Sequence, residues 1–219
     1  MFDCKAWVAQ LQQKILDTFG GRVRFLGLQG SFRRGEATEQ SDVDLVVILD
    51  RLDAADLSAY RACVQEMPEP QRACGFLSGW DTLAAWPKSD LFQFCNDTEP
   101  LYGSMEAISV QITRRDALEA LRIGCGNLHH GACHSFVFDN PAEALPSLYK
   151  SAFFVLQAKA YLETGVYPAS RKALEAACTG EDAEILAQRG RKAFPAGELE
   201  ARYNQLIHWS AKLLEDTKQ

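Results

Sequence analysis

The sequence predicts an α+β chain: a mixed β-sheet with flanking helices, followed by an all-α helical bundle. Strand-like patterns are confined to the first half of the chain. One of them, residues 43–49, is almost wholly apolar and rich in β-branched side chains, as a strand buried on both faces should be. Past Arg114 the texture changes, and apolar residues recur at helical spacing in long stretches punctuated by Pro and Gly. These observations divide the 219 residues into two units, 1–113 and 114–219, each of ordinary domain size.

Trp7, Leu11, Ile15 and Phe19 form a helical stripe over residues 5–19, closed by Gly20-Gly21. Residues 22–28 alternate and then run apolar, which predicts a strand, and Gly30 follows at once. Residues 56–66 suit a helix ended by Met67-Pro68. A third strand is expected over 73–78, then one or two helical turns over 81–86 before Pro87. Residues 91–95 and 108–112 are short apolar runs, read as a fourth and a fifth strand. Residues 116–136 and 146–164 carry long helical patterns, the second stopping at Gly165. Ser170 is placed to cap a helix to Cys178, and Thr179 to cap one ending near Gly190. Leu199, Tyr203, Leu206, Ile207, Ser210, Leu213 and Leu214 define a last helix over 197–217.

Composition narrows the function classes. Apolar residues make up 47% and charged residues 24%, values of a packed globular chain rather than a disordered one. No apolar run is long enough to span a membrane, and the first residues lack the pattern of a secretory leader. Seven cysteines at irregular spacing suit reduced thiols, so a cytoplasmic location is expected. Residues 1–113 hold ten Lys and Arg against sixteen Asp and Glu, and so carry the whole net charge of −6. An acidic half without a basic stripe argues against an extended nucleic acid as partner.

The stretch from Gly30 to Asp50, GSFRRGEATEQSDVDLVVILD, concentrates the chemistry. Asp42 and Asp44 share one face of a strand, and two neighbouring carboxylates repel. A divalent cation is the economical compensation, since hard oxygens suit Mg²⁺ and leave its other sites for water and phosphate. Gly30 permits a tight turn, and Ser31 offers a hydroxyl and an N–H to phosphate oxygens. Arg33 and Arg34 stand where they can neutralise a triphosphate.

This run resembles the nucleotidyltransferases related to DNA polymerase beta, whose signature is Gly-Ser, a short spacer, then Asp-x-Asp at a strand start. It is especially similar to the small bacterial members, the minimal nucleotidyltransferases and the antibiotic-modifying adenylyltransferases. The motif covers some fifteen residues, and with its surrounding strands the resemblance extends over residues 1–113. It implies transfer of a nucleoside monophosphate, AMP first among them, from an NTP to a hydroxyl of a small molecule or protein, with release of pyrophosphate. It implies one or two Mg²⁺ ions on Asp42 and Asp44, and nucleotide contacts from Gly30, Ser31, Arg33, Arg34 and Ser41.

The family pattern adds a third acid on a later strand. The segment 73–78 has none; Asp90 is the first choice and Asp81 the second, with a site lacking the third acid as the remaining option. In that last case the alternative is an antitoxin-like or regulatory nucleotide-binding protein with little or no catalysis.

In the second half, Cys125, His129, His130, Cys133 and His134 crowd one predicted helix. Close helix packing explains them first, a cleft wall or a metal site second. Arg122 and His129 fit the loose Arg-x(4–6)-His pattern of HEPN-type helical domains, and residues 148–158 are similar to a helix of such domains. The resemblance implies a helical support or substrate domain that closes one wall of the cleft, and it leaves a homodimer open. Trp80, Trp86 and Tyr102 are read as packing residues before stacking platforms. Lys150 and Lys159 are read equally as triphosphate contacts or solvated faces.

Overall fold

The computed structural model describes residues 2–218. The chain divides into two compact units, Met1–Gln111 and Ile112–Gln219. The first contains α1 (Cys4–Phe19), β1 (Val23–Gln29), α2 (Gly30–Arg33), β2 (Val43–Leu49), α3 (Ala54–Gln65), β3 (Ala73–Gly79), α4 (Trp80–Ala84), α5 (Lys88–Asn96), β4 (Glu99–Gly103) and α6 (Glu106–Ser109).

The four strands make one mixed sheet in the order β3-β2-β1-β4. β2 runs parallel to β3, while β1 is antiparallel to both β2 and β4. β2 is central, which is why its apolar run is continuous: Val43 and Leu45 to Leu49 are all 1% exposed or less. Odd-numbered residues of β2 face the helices. Leu45, Val47 and Leu49 pack with Trp7, Leu11 and Ile15 of α1 and with Cys63 of α3. Each such aliphatic side chain contributes on the order of 1.5–3 kcal/mol by leaving water. Even-numbered residues face the other way, where Phe76 of β3 meets Phe94 of α5 with ring centroids 4.9 Å apart.

Two strand expectations are corrected here. Residues 91–95 lie inside α5 and residues 108–112 follow or belong to α6, while the fourth strand is Glu99–Gly103. In 91–95 the apolar residues follow helical spacing, with Leu91 and Phe92 buried and Gln93 and Cys95 half-buried. β4 escapes a composition-based reading because it carries Pro100 and Gly103 at the sheet edge, where a missing N–H is tolerated.

The second unit is helical: α7 (Arg114–Phe138), α8 (Pro141–Thr164), α9 (Arg171–Ala177), α10 (Gly180–Ala187) and α11 (Leu199–Asp216). Asn140 caps α8 through Ala142 N and makes the turn from α7. The small side chains of α7 allow close approach of α8, since a Cβ on Gly124 would stand 3.0 Å from Val155 and one on Gly131 3.3 Å from Leu148. Buried Leu121, Cys125 and Leu128 of α7, Phe153 and Leu156 of α8, and Tyr203, Leu206 and Trp209 of α11 form the core. The Tyr203 hydroxyl is paired with Ser135 Oγ and Pro141 O, both at 3.1 Å. Among the described residues no helix is long and apolar enough to cross a membrane.

Candidate active site

β1 ends at Gln29, and the chain turns at once into α2 with Gly30 at φ +72°. A Cβ at Gly30 would collide with Asp44 Oδ2, so only glycine lets this turn back onto the carboxylate. Gln29 and Asp44 are partners across β1 and β2, which fixes the turn and the acid at the same end of the sheet. Asp44 is half-buried and Asp42, just before β2, is exposed. Their separation by two puts both on the face opposite α1 and α3. Ser31 is half-buried in α2, and its carbonyl oxygen accepts from Glu36 N at 2.8 Å.

The loop between α2 and β2 is tied at both ends. Ser41 Oγ accepts from Thr38 N at 2.8 Å. Arg72 donates to Glu39 O at 2.8 Å and Ser41 O at 3.3 Å, and its guanidinium lies 4.4 Å over the Phe2 ring. Arg33 and Arg34 both reach Asp97, at 3.3 and 2.7 Å, and Arg33 also donates to Asn96 O at 3.0 Å. Burial outweighs the two guanidinium groups and holds the Asp97 carboxyl above its ordinary range. Ser41 and the two arginines thus brace the turn and loop around the acids. Asp97 was not singled out from sequence, since it stands more than sixty positions from either arginine and no local pattern links them.

The sheet topology locates the candidate third acids. β2 and β3 run in the same direction, and the start of β4 and the end of α5 lie at the Asp44 end, where Gln29 Nε2 donates to Thr98 Oγ1 at 2.6 Å. α5 therefore starts at the far end of the sheet. Asp90 sits exposed in its first turn, and Asp81 sits in α4 just after the far end of β3. The residue beside Asp44 on β3 is Cys74, its partner in the parallel register. Burial pushes the Cys74 thiol up, and the neighbouring Asp44 carboxylate adds to the shift. A strand partner in parallel register is the signal that points to Cys74. Among the described residues no three His, Cys, Asp or Glu side chains converge to hold a metal.

A divalent cation fits the residues present in two respects. The donors are hard carboxylate oxygens, and the Asp44 carboxylate is seated against the Gly30 turn, where a Cβ would displace it. Of the aromatic candidates, Trp86 closes a cluster with Phe76, 5.2 Å between centroids, on the face that carries the acids. Trp80 lies under Arg24 at 5.1 Å, and Tyr102 is exposed on β4. In the helical unit Lys150 is exposed, whereas Lys159 is paired with Asp182 and Glu163.

Comparison with known proteins bears on this geometry. Residues 9–76 match the Nucleotidyltransferase domain family. No curated protein matches the chain in sequence. Among solved structures, the chain is similar to spectinomycin adenyltransferase AAD(9) from Enterococcus faecialis, with a TM-score of 0.60 at 13% identity, covering 97% of this chain and 100% of that one. A nucleotidyltransferase-like protein from Exiguobacterium sibiricum aligns at a TM-score of 0.39 and 12% identity, over 95% of this chain and 75% of that one. Within the first unit, residues 9–76 thus match a nucleotidyltransferase domain, a helical region follows, and the fold is similar to that of the spectinomycin adenyltransferase.

Proposed function

We propose that the protein transfers a nucleoside monophosphate, AMP from ATP, to a hydroxyl of a small molecule and releases pyrophosphate. The observation that carries this reading is the Gly30 turn seated against Asp44 inside the segment that matches the nucleotidyltransferase family. The enterococcal neighbour, described with ATP and spectinomycin, supports ATP and a small hydroxyl-bearing acceptor as the pair to test first.

Asp42 and Asp44 would hold Mg²⁺, which supplies charge stabilisation at the phosphate oxygens. The turn at Gly30 and Ser31 offers backbone N–H groups and a hydroxyl to the triphosphate. The acceptor oxygen attacks the α-phosphorus, a new P–O bond forms, and the bond to the departing pyrophosphate breaks. The acceptor's proton passes to solvent or to a base on the acceptor. Much of the chain's work is positioning, which Arg33, Arg34 and Arg72 perform by fastening the turn and loop. The acceptor's class follows from the acidic first half, which disfavours a polyanion.

The test is ATP and Mg²⁺ consumption with pyrophosphate release over a panel of hydroxyl acceptors. Asp42→Asn/Asp44→Asn should lose pyrophosphate release by about 10³-fold or more while staying folded, because removing two neighbouring carboxylates relieves repulsion. Undiminished turnover in that variant would overturn the reading.

A further inference from the structure

The Cys and His residues of α7 separate into two sets. Cys125 is fully buried, and His129 turns inward to Ser210 Oγ at 3.2 Å, so packing accounts for both. His130, Cys133 and His134 face outward and are exposed. His130 and His134 are one turn apart, with ring centroids 5.8 Å apart. Packing does not account for this pair.

We propose that His130 and His134 form a two-imidazole clamp for a divalent transition-metal ion, distinct from the carboxylate pair on β2. Histidines at i and i+4 stand over each other on one helix face, the spacing at which two imidazoles reach one ion. With metal–nitrogen distances of about 2.0–2.1 Å, the rings on a shared ion stand about 5 Å apart. A small side-chain rotation closes the observed gap on this exposed face, where the His134 ring also lies 5.0 Å from the Phe138 ring.

Three further features favour a cation here. Asp139 Oδ2 lies 3.6 Å from His134 Nδ1, which sets a negative charge beside the pair. The chain from Ile123 to Tyr149 contains no Lys or Arg, so no basic residue of this helical hairpin's inner stretch repels a positive ion. The helix surface one turn before His130 is open, since a Cβ on Gly126 would meet nothing within 4 Å. No third ligand converges among the described residues, so water or an added ligand completes the coordination. Imidazole selects Ni²⁺, Cu²⁺ or Zn²⁺ over Mg²⁺.

The experiment is calorimetric titration of the full chain with Ni²⁺ at neutral pH, with thermal unfolding followed in parallel. One Ni²⁺ per chain is expected, with a raised Tm. His130→Ala and His134→Ala should each weaken binding about 10–100-fold, because each breaks the chelate, and should abolish the Tm rise. His208→Ala, Cys133→Ser and Asp42→Asn/Asp44→Asn should bind as the natural protein does. Both histidine substitutions lie on an exposed helix face, and unchanged helical circular dichroism excludes misfolding. Natural affinity in His134→Ala, loss in Cys133→Ser alone, or no Ni²⁺ uptake by the natural chain would each overturn the clamp.

Discussion

Gly30 couples backbone to chemistry at a single position. Its φ of +72° costs a non-glycine residue about 1–2 kcal/mol, and the added Cβ would displace the Asp44 carboxylate. Gly30→Ala should therefore lower Tm by several degrees and weaken Mg²⁺–ATP binding about tenfold or more, read by thermal unfolding and calorimetry. A variant that binds nucleotide normally would show that Asp44 does not depend on this turn. The Gly-Ser and Asp-x-Asp residues are legible in sequence because local turn and strand chemistry demands them within a few positions of one another. Cys74 and Asp97 are not legible in that way, and for the histidines of α7 the spacing is legible but not which of them face outward. Their roles come from parallel register, from a long-range ion pair and from which side of α7 meets α11.

At the level of elements, α3 is fastened to the end of β2 by charge. Asp53 and Asp56 form a reciprocal cap at its start, and the Asp56 carboxylate also takes two hydrogen bonds from Arg22, at 2.6 and 2.9 Å. Those Arg22 contacts hold the Asp56 carboxyl below the ordinary range. A depressed carboxyl stabilises the fold above its unfolded pKa of about 3.9 and loses that contribution as pH falls through its folded value. The urea midpoint should thus be nearly level from neutral pH to about pH 5 and drop below about pH 4. Arg22→Ala should start lower and fall less steeply; an identical pH profile would refute the link. The sequence reveals α1, α3 and the long helices because their apolar residues keep helical spacing over many positions. It misreads α5 because five apolar-rich residues suit helix or strand equally, and it passes over β4 because an edge strand need not be β-branched.

For the molecule as a whole, the two units that meet at Gln111–Ile112 each bury their own core. Val110 is 75% exposed, and the stretch after it to Thr113 has no helix or strand. Limited proteolysis should cut first around residues 109–113 and leave two resistant fragments; initial cuts inside α7 or β2 would contradict independent cores. The sheet's outer strands carry one more consequence. Gly75 adopts φ +139° at one rim, and Pro100 with Gly103 interrupts the other. Neither border is a regular ladder that a stray segment can extend, so the half of the chain richest in strands is built to resist templated aggregation.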